Sequence, residues 1–343
     1  MPKFYGGCLL LPLGLLALAF AVPAVSADAE PADVDIKVVE KDHIDFRCGK
    51  ALVGSYHIAP TVAKPYMWPL NAPGGLTVTR AWPMEKSTPD DKSTDHVHQK
   101  SLWFCHGDVI PEGFALKTKV KNVEGVDFWA EEKGHGKIVC TDVGSVQQKG
   151  DHGQVTTKNE WRTADDEKIM DETRTIHLYC LGKAYLLVFD IDLSASVCPI
   201  TFGDTKEGAF GVRVRGSITE DKGKGHLTNA EGKVGEKNDV WGHISDWCDY
   251  SGPVEGKTAG VAIFAYPANP LKSSWHSRGY GLMAANPFGR DKSGFPAMKG
   301  KTDLVKLAKG EHLKLRFGVL LHDGDVKEAD VAEYYKKFAK LKN

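Results

Sequence analysis

The segment STDHVHQKSLWFCHGD, Ser93–Asp108, concentrates groups that move protons or bind metals. Asp95, His96 and His98 stand almost side by side, and His106 follows an apolar run. On extended backbone, residues two apart face the same way, so His96 and His98 project together. Two such imidazoles can share a divalent metal or divide general acid and base roles. A metal would need further ligands from elsewhere, with His276 and His322 as the candidates. A polar strand end, with Asp95 capping a turn, is the structural alternative.

A second group lies in TFGDTKEGAFGVRVR, Thr201–Arg215. Asp204, Lys206 and Glu207 occupy a glycine-bounded turn that feeds a strand carrying Arg213 and Arg215. Carboxylates beside a lysine and near an arginine can form an acid/base set with shifted pKa values. Local ion pairs on a surface turn would have the same composition. A third group joins WGHISDWCDY (Trp241–Tyr250), WHSRGY (Trp275–Tyr280) and Asn286-Pro287-Phe288-Gly289. Aromatic rings beside Asp, His, Arg and Asn suit a sugar: rings pack on its C–H face while the polar groups take its hydroxyls. Core packing with intervening turns is the alternative. Last, LLHDGD places His322 at the end of an apolar strand, as a buried histidine or a pocket imidazole.

The elements that must hold these groups are mostly strands. VDIKVVEKDHIDFRC, LTVTRAW, FALKTKVKNV, ETRTIHLYCL, AYLLVFDIDLSA, TAGVAIFAY and LKLRFGVLLH alternate or are rich in β-branched residues, with Gly, Asn or Asp between them. Strands recurring without helical segments predict antiparallel sheets rather than βαβ units. Only the C-terminus reads as helix: Asp325 and Glu328 resemble a capping box, followed by a stripe of Ala329, Ala332, Tyr335, Phe338 and Ala339. The expected fold is all-β, a large antiparallel two-sheet sandwich with a C-terminal helix, forming a single domain over residues 28–343.

Residues 1–27 read as a signal peptide: Lys3, an apolar stretch over Leu9–Ala21, then small residues to Ala27. The expectation is an exported protein, periplasmic or extracellular, with no membrane association beyond the cleaved signal. A formal net charge of −1 gives no electrostatic case for nucleic acid. Six widely spaced cysteines follow the signal without a CxxC, so one or two disulfides are expected and a zinc ribbon is not. Nothing in the sequence sets an oligomeric state.

Several stretches together resemble the secreted "PmoA family" of bacterial proteins: PYMWPLNAPGGLTVTRAWP, DHVHQKSLWFCHGDV, VDFW, FGDTKEGAFGVRV, WGHISDWCDYSGP, WHSRGYGLMAANPFG and LLHDGDV. They run in family order from about Tyr66 to the C-terminus. That family usually has a histidine directly after the one at His98, where this chain has Gln99. The methane-oxygenase subunit its name implies is a multi-span membrane protein, and this chain has one apolar segment at most. Cleavage after Ala27 would leave Asp28, not a histidine, at the new N-terminus. The family's layout is similar to the galactose-mutarotase-like supersandwich, which implies a sugar held on a large sheet and proton transfer by histidine and carboxylate pairs.

The expected function is proton-transfer chemistry on a carbohydrate, of epimerase, lyase or hydrolase type, with a small-molecule or oligosaccharide ligand and no cofactor. His98 beside His96 would act as general acid, Glu207 as general base, and Arg80, Lys206 and Arg213 would stabilise negative charge. Trp241, Trp275 and Arg278 would wall the ligand, while Asp95, Asp204, Asp246, His276, Asn286 and His322 would bind it. The alternatives are a metal-dependent enzyme with zinc, copper or calcium at His96 and His98, and a non-catalytic carbohydrate-binding module.

Overall fold

The computed structural model describes residues 1–4, 32–86 and 91–342; the apolar core and cleavage site of the expected signal peptide lie outside the described residues. Two large antiparallel sheets carry the fold. The first runs, edge to edge, through Val34–Val39, His43–Cys48, Ala51–His57, Tyr66–Leu70, Leu102–His106, Gly208–Arg213, Leu282–Asn286 and Ser274–Arg278. The second runs through His226–Asn229, Trp247–Val254, Lys257–Ala265, His312–Asp323, Ala184–Ser194, Lys168–Cys180, His152–Arg162 and Lys137–Val143, with Gln147–Lys149 also paired to His152–Arg162. A small third sheet joins Val305–Leu307, Ile200–Phe202 and Val109–Pro111.

Strand alternation decides what each face of the first sheet does. The register places Trp275, Ala285, Phe210 and Phe104 in one row across four strands, so their side chains share a face. Phe210 stacks on Phe317 of the second sheet at 4.8 Å and meets Phe189 at 5.1 Å, so this face makes the core. Each such buried aromatic contributes roughly 2–3 kcal/mol of burial. The next row, His276, Ala284, Gly211 and Trp103, must point the opposite way, off the sandwich. That outward row carries the candidate site.

The C-terminal helix Val331–Phe338 covers part of the outer face of the second sheet, with Val331 and Phe338 in one apolar cluster with Leu186, Val188, Phe264 and Leu320. The capping box forms: the Glu328 amide donates to Asp325 Oδ1 at 2.9 Å and the Asp325 amide to Glu328 Oε2 at 3.0 Å. It closes a turn one step before the helix rather than the helix itself. FALKTKVKNV alternates like a strand but is irregular. Among the described residues no sheet edge pairs with it, and its Thr118 amide is taken by Asp165 at 3.1 Å.

One disulfide, Cys48–Cys180, links the ends of His43–Cys48 and Lys168–Cys180 and so ties the two large sheets together across 132 residues of sequence. Closing so long a loop restrains the unfolded chain strongly. Changing both cysteines to serine is expected to cost about 3–5 kcal/mol in a chemical denaturation. An unchanged midpoint would show that the sheet packing alone holds the sandwich closed.

Candidate functional site

A pocket of about 460 Å³ opens on the outward row of the first sheet, lined by His96, His98, Gln99, Asp127, Trp129, Ala130, Lys206, Glu207, Glu236, His276, Arg278 and Tyr280. Its floor is aromatic. Trp103 lies against Gly211, where an added Cβ would come within 3.1 Å of the indole. Trp129 meets Trp103 edge-on at 5.3 Å. The Trp129 ring then reaches His98 at 6.2 Å and His276 at 6.3 Å, so one indole joins the two imidazoles. Behind it, the buried Lys64 ammonium donates to the Trp129 carbonyl at 2.8 Å and to Glu131 at 2.9 Å, and Lys100 also pairs with Glu131.

His276 and Arg278 are two apart on the edge strand Ser274–Arg278, which is why both reach the pocket. The Arg278 Nε donates to His276 Nε2 at 3.3 Å. Nε2 is thereby the acceptor, and the neutral ring carries its proton on Nδ1, toward the Lys206 backbone and Glu207 Oε2 at 4.0 Å. Burial, with Arg278 and Lys206 close by, pushes the His276 pKa down to about 3. The Arg278 guanidinium is fixed by Glu236 at 2.8 Å and lies over the Trp241 ring at 5.1 Å.

Glu207 hangs from the turn before Gly208–Arg213, its side chain 35% exposed. Burial raises its carboxyl above the ordinary glutamate value; Lys206 opposes the shift and Asp127 adds to it. The turn can sit this low because residue 208 is glycine: a Cβ there would fall 2.5 Å from the buried His106 Nδ1. Asp127 is also raised by burial, but its Oδ1 accepts the Trp129 amide at 2.7 Å and its Oδ2 lies 3.3 Å from His135 Nε2.

His96 and His98 come together by a different route from the one the spacing suggests. His96 has a positive φ of 43° and the Gln99 amide donates to its carbonyl at 2.9 Å, so the segment is a turn, not a strand. The rings still meet edge-on at 5.7 Å. Burial, with Lys64 and His96 close by, pushes the His98 pKa down to about 3. Arg80 and Arg213 lie behind this turn, buried. Both donate to Asp95 Oδ1, at 2.7 and 3.0 Å, and Arg213 also donates to Gln99 Oε1 at 2.6 Å. Against the cost of burial, these arginines hold the Asp95 carboxyl well below the usual carboxylate range. Gln99, itself uncharged, thus fixes the position next to His98 by accepting a charge-assisted hydrogen bond from Arg213.

Of the residues expected from sequence, the pocket gathers His96, His98, Lys206, Glu207, His276 and Arg278. Arg80, Arg213, Asp95 and Trp241 support them from behind or beside. Five others lie elsewhere. The Trp275 indole is fully buried in the core row and donates to the Ser245 carbonyl at 2.9 Å. Asn286 is fully occupied as a turn brace, donating to the Thr205 and Lys206 carbonyls and accepting the Phe288 and Gly289 amides. Asp204 accepts the Arg290, Lys292 and Ser293 amides and organises that loop instead. Asp246 is exposed beside Tyr335 of the C-terminal helix. His322 is completely buried against Asp249 at 2.8 Å on the second sheet, with the sandwich core between it and the pocket. It therefore cannot join a metal site at His96 and His98, and among the described residues no three His, Cys, Asp or Glu side chains converge as a ligand set.

Four polar or aromatic pocket residues stand outside the set the sequence points to: Asp127, Trp129, Glu236 and Tyr280. Asp127 and Trp129 sit in VDFW, and Tyr280 closes WHSRGY, so the motif text held them. Glu236 lies in a polar loop with no local signal; only its partners, Arg278 and the Gly279 amide at 2.7 Å, reveal it.

A family of unknown function, DUF6807, matches residues 43–336. The chain belongs to this family. No curated protein matches it significantly. Among solved structures, a galactose mutarotase-like protein from Clostridium acetobutylicum is 10% identical at a TM-score of 0.44, covering 86% of this chain and 100% of its own. The galactose 1-epimerase from Lactobacillus acidophilus is 8% identical at a TM-score of 0.40, with 86% and 100% covered. A GH36 α-galactosidase from Geobacillus stearothermophilus is 9% identical at a TM-score of 0.39; 80% of this chain matches 40% of that one. These distant likenesses carry nothing about chemistry in this DUF6807 chain. Among its described residues no helix is long and apolar enough to cross a membrane.

Proposed function

We propose that this DUF6807 protein is an exported, PmoA-like carbohydrate-active enzyme that binds a sugar over Trp129 and moves a proton on it through Glu207. The observation that carries the reading is the composition of one pocket: a raised carboxyl, two neutral imidazoles, a fixed guanidinium and an indole floor. The Trp129 indole, 3% exposed, offers a narrow apolar edge for the C–H face of a ring. Arg278 and Lys206 are donors for hydroxyls, and Glu236 is an acceptor. Lys206 and Arg278 nearly balance Asp127, Glu207 and Glu236, and the neutral histidines add no charge, which suits an uncharged, hydroxyl-rich ligand.

Glu207 is the group best placed to exchange a proton. Its raised pKa brings it toward neutral pH, where a carboxyl serves as acid or base. His276, with its Nδ1–H directed to the same side, is the partner that steadies the developing charge. The reaction classes consistent with this set are epimerisation, β-elimination and hydrolysis. Export is supported by the apolar N-terminal stretch and by the Cys48–Cys180 disulfide, which suits an oxidising compartment.

Trp129→Ala tests the platform. Monosaccharide affinity in titration calorimetry is expected to fall about tenfold or more on loss of the indole. Unchanged affinity would move the ligand away from this floor.

A further inference from the structure

The pocket continues past Tyr280. That side chain also lines a neighbouring hollow of about 130 Å³, together with Asp95, Arg213, Thr219 and Lys222. Tyr280 borders both spaces, and His96, on the main-pocket side, lies on it with centroids 5.2 Å apart and planes 9° from parallel. The divider is braced. The Arg213 guanidinium sits 4.5 Å from the Tyr280 ring centre and is held in turn by Gln99 at 2.6 Å and Asp95 at 3.0 Å. On the other member, Asp95 Oδ2 lies 3.3 Å from His96 Nδ1, and the His96 side chain remains 41% exposed. A fixed ring with an open surface, set between two polar spaces, is built for a ligand that passes over it.

We infer that the ligand is an oligosaccharide of at least two units that crosses the His96–Tyr280 pair, one unit in the main pocket and the next in the adjoining hollow. This rests on the reading of the main pocket as a sugar site. A monosaccharide fills the space over Trp129 and leaves His96 uncovered. A second unit packs on the exposed imidazole and reaches the Lys222 ammonium, a donor for its oxygens. On this account His96 serves as a stacking surface, and the proton chemistry stays with Glu207 across the divide.

The test is titration calorimetry of the whole protein against glucose, galactose and galacturonate, then against cellobiose, lactose, maltotriose and digalacturonate. It is repeated with His96→Ala and His96→Phe. The backbone at residue 96 has φ 43°, a strain that Ala and Phe share with His, so the two variants differ in the ring alone. The expected result is at least about tenfold tighter binding of one of the longer sugars than of its monosaccharide. His96→Ala should erase that increment, and His96→Phe should keep most of it. Equal affinity for short and long sugars, or an increment indifferent to His96→Ala, overturns the inference and leaves the main pocket's reading intact. Failure of every sugar to bind overturns both.

Discussion

Glu207→Gln is expected to lower turnover by about 10²–10⁴-fold while sugar affinity stays within about threefold. The amide keeps the shape of the side chain and its place beside His276, so the pocket still forms. It cannot hold or release the proton that the step needs. The rate should therefore fall in kcat, not in the apparent affinity. The pH profile gives an independent check. Burial raises the Glu207 carboxyl, so the wild-type acid limb should break at a pH above the ordinary glutamate value of 4.5. Single-turnover rates across that range would show it. Turnover unaffected by the amide would remove Glu207 from the chemistry, whatever the ligand.

The second large effect is on stability in acid. His276 and His98 are pushed to about 3 and His106 to about 4, chiefly by burial in each case, from an unfolded value of 6.5. His106 is fully buried with Nε2 at 2.8 Å from the Gly203 carbonyl, and its Nδ1 has no partner to accept a second proton. Between the folded and unfolded values the unfolded chain binds more protons than the native one, so stability rises with pH there. Its contribution is complete above 6.5 and is lost as pH falls toward 4 and then 3. Each of the two most buried rings, His276 and His106, accounts for roughly 3–5 kcal/mol over its full window. Taken together they predict a melting temperature lower by roughly 15 °C near pH 4 than near pH 7. Calorimetry on the wild type and on His106→Gln measures this: the variant should show a flatter decline. An identical decline in both would mean that other groups, not buried neutral histidines, set the acid limit.

The sequence carried the architecture because alternation is a local signal. The long strands Ala184–Ser194 and His312–Asp323 alternate over one half, FDIDLS and HLKLRF, and run apolar over the other, AYLLV and GVLL, where one face meets the two-sheet core and the other lies under the helix. FALKTKVKNV shows the limit of that signal. It alternates, but a strand also needs an edge to pair with, and pairing depends on the whole chain. The site was legible where it obeyed the same alternation: His276 and Arg278 share an outward face, and Glu207 precedes a strand that begins with a glycine. Trp275, their neighbour, faces inward for the same reason, which a reading by composition alone does not separate. His322 and Asp249 look like pocket chemistry in sequence and are a closed pair on the other sheet. Glu236 was invisible because its role comes from contact with Arg278, from a segment 42 residues further on.

Proton NMR of a sugar panel in D2O, with and without the protein, tests the central claim most directly. Epimerisation, elimination, hydrolysis and exchange of a C–H for deuterium each leave a distinct change in the sugar spectrum. The account predicts at least one such change with the wild-type protein, strongly reduced with Glu207→Gln and not dependent on added metal. Spectra that change at the same rate with both proteins, or with neither while a sugar binds over Trp129, would contradict proton transfer by Glu207.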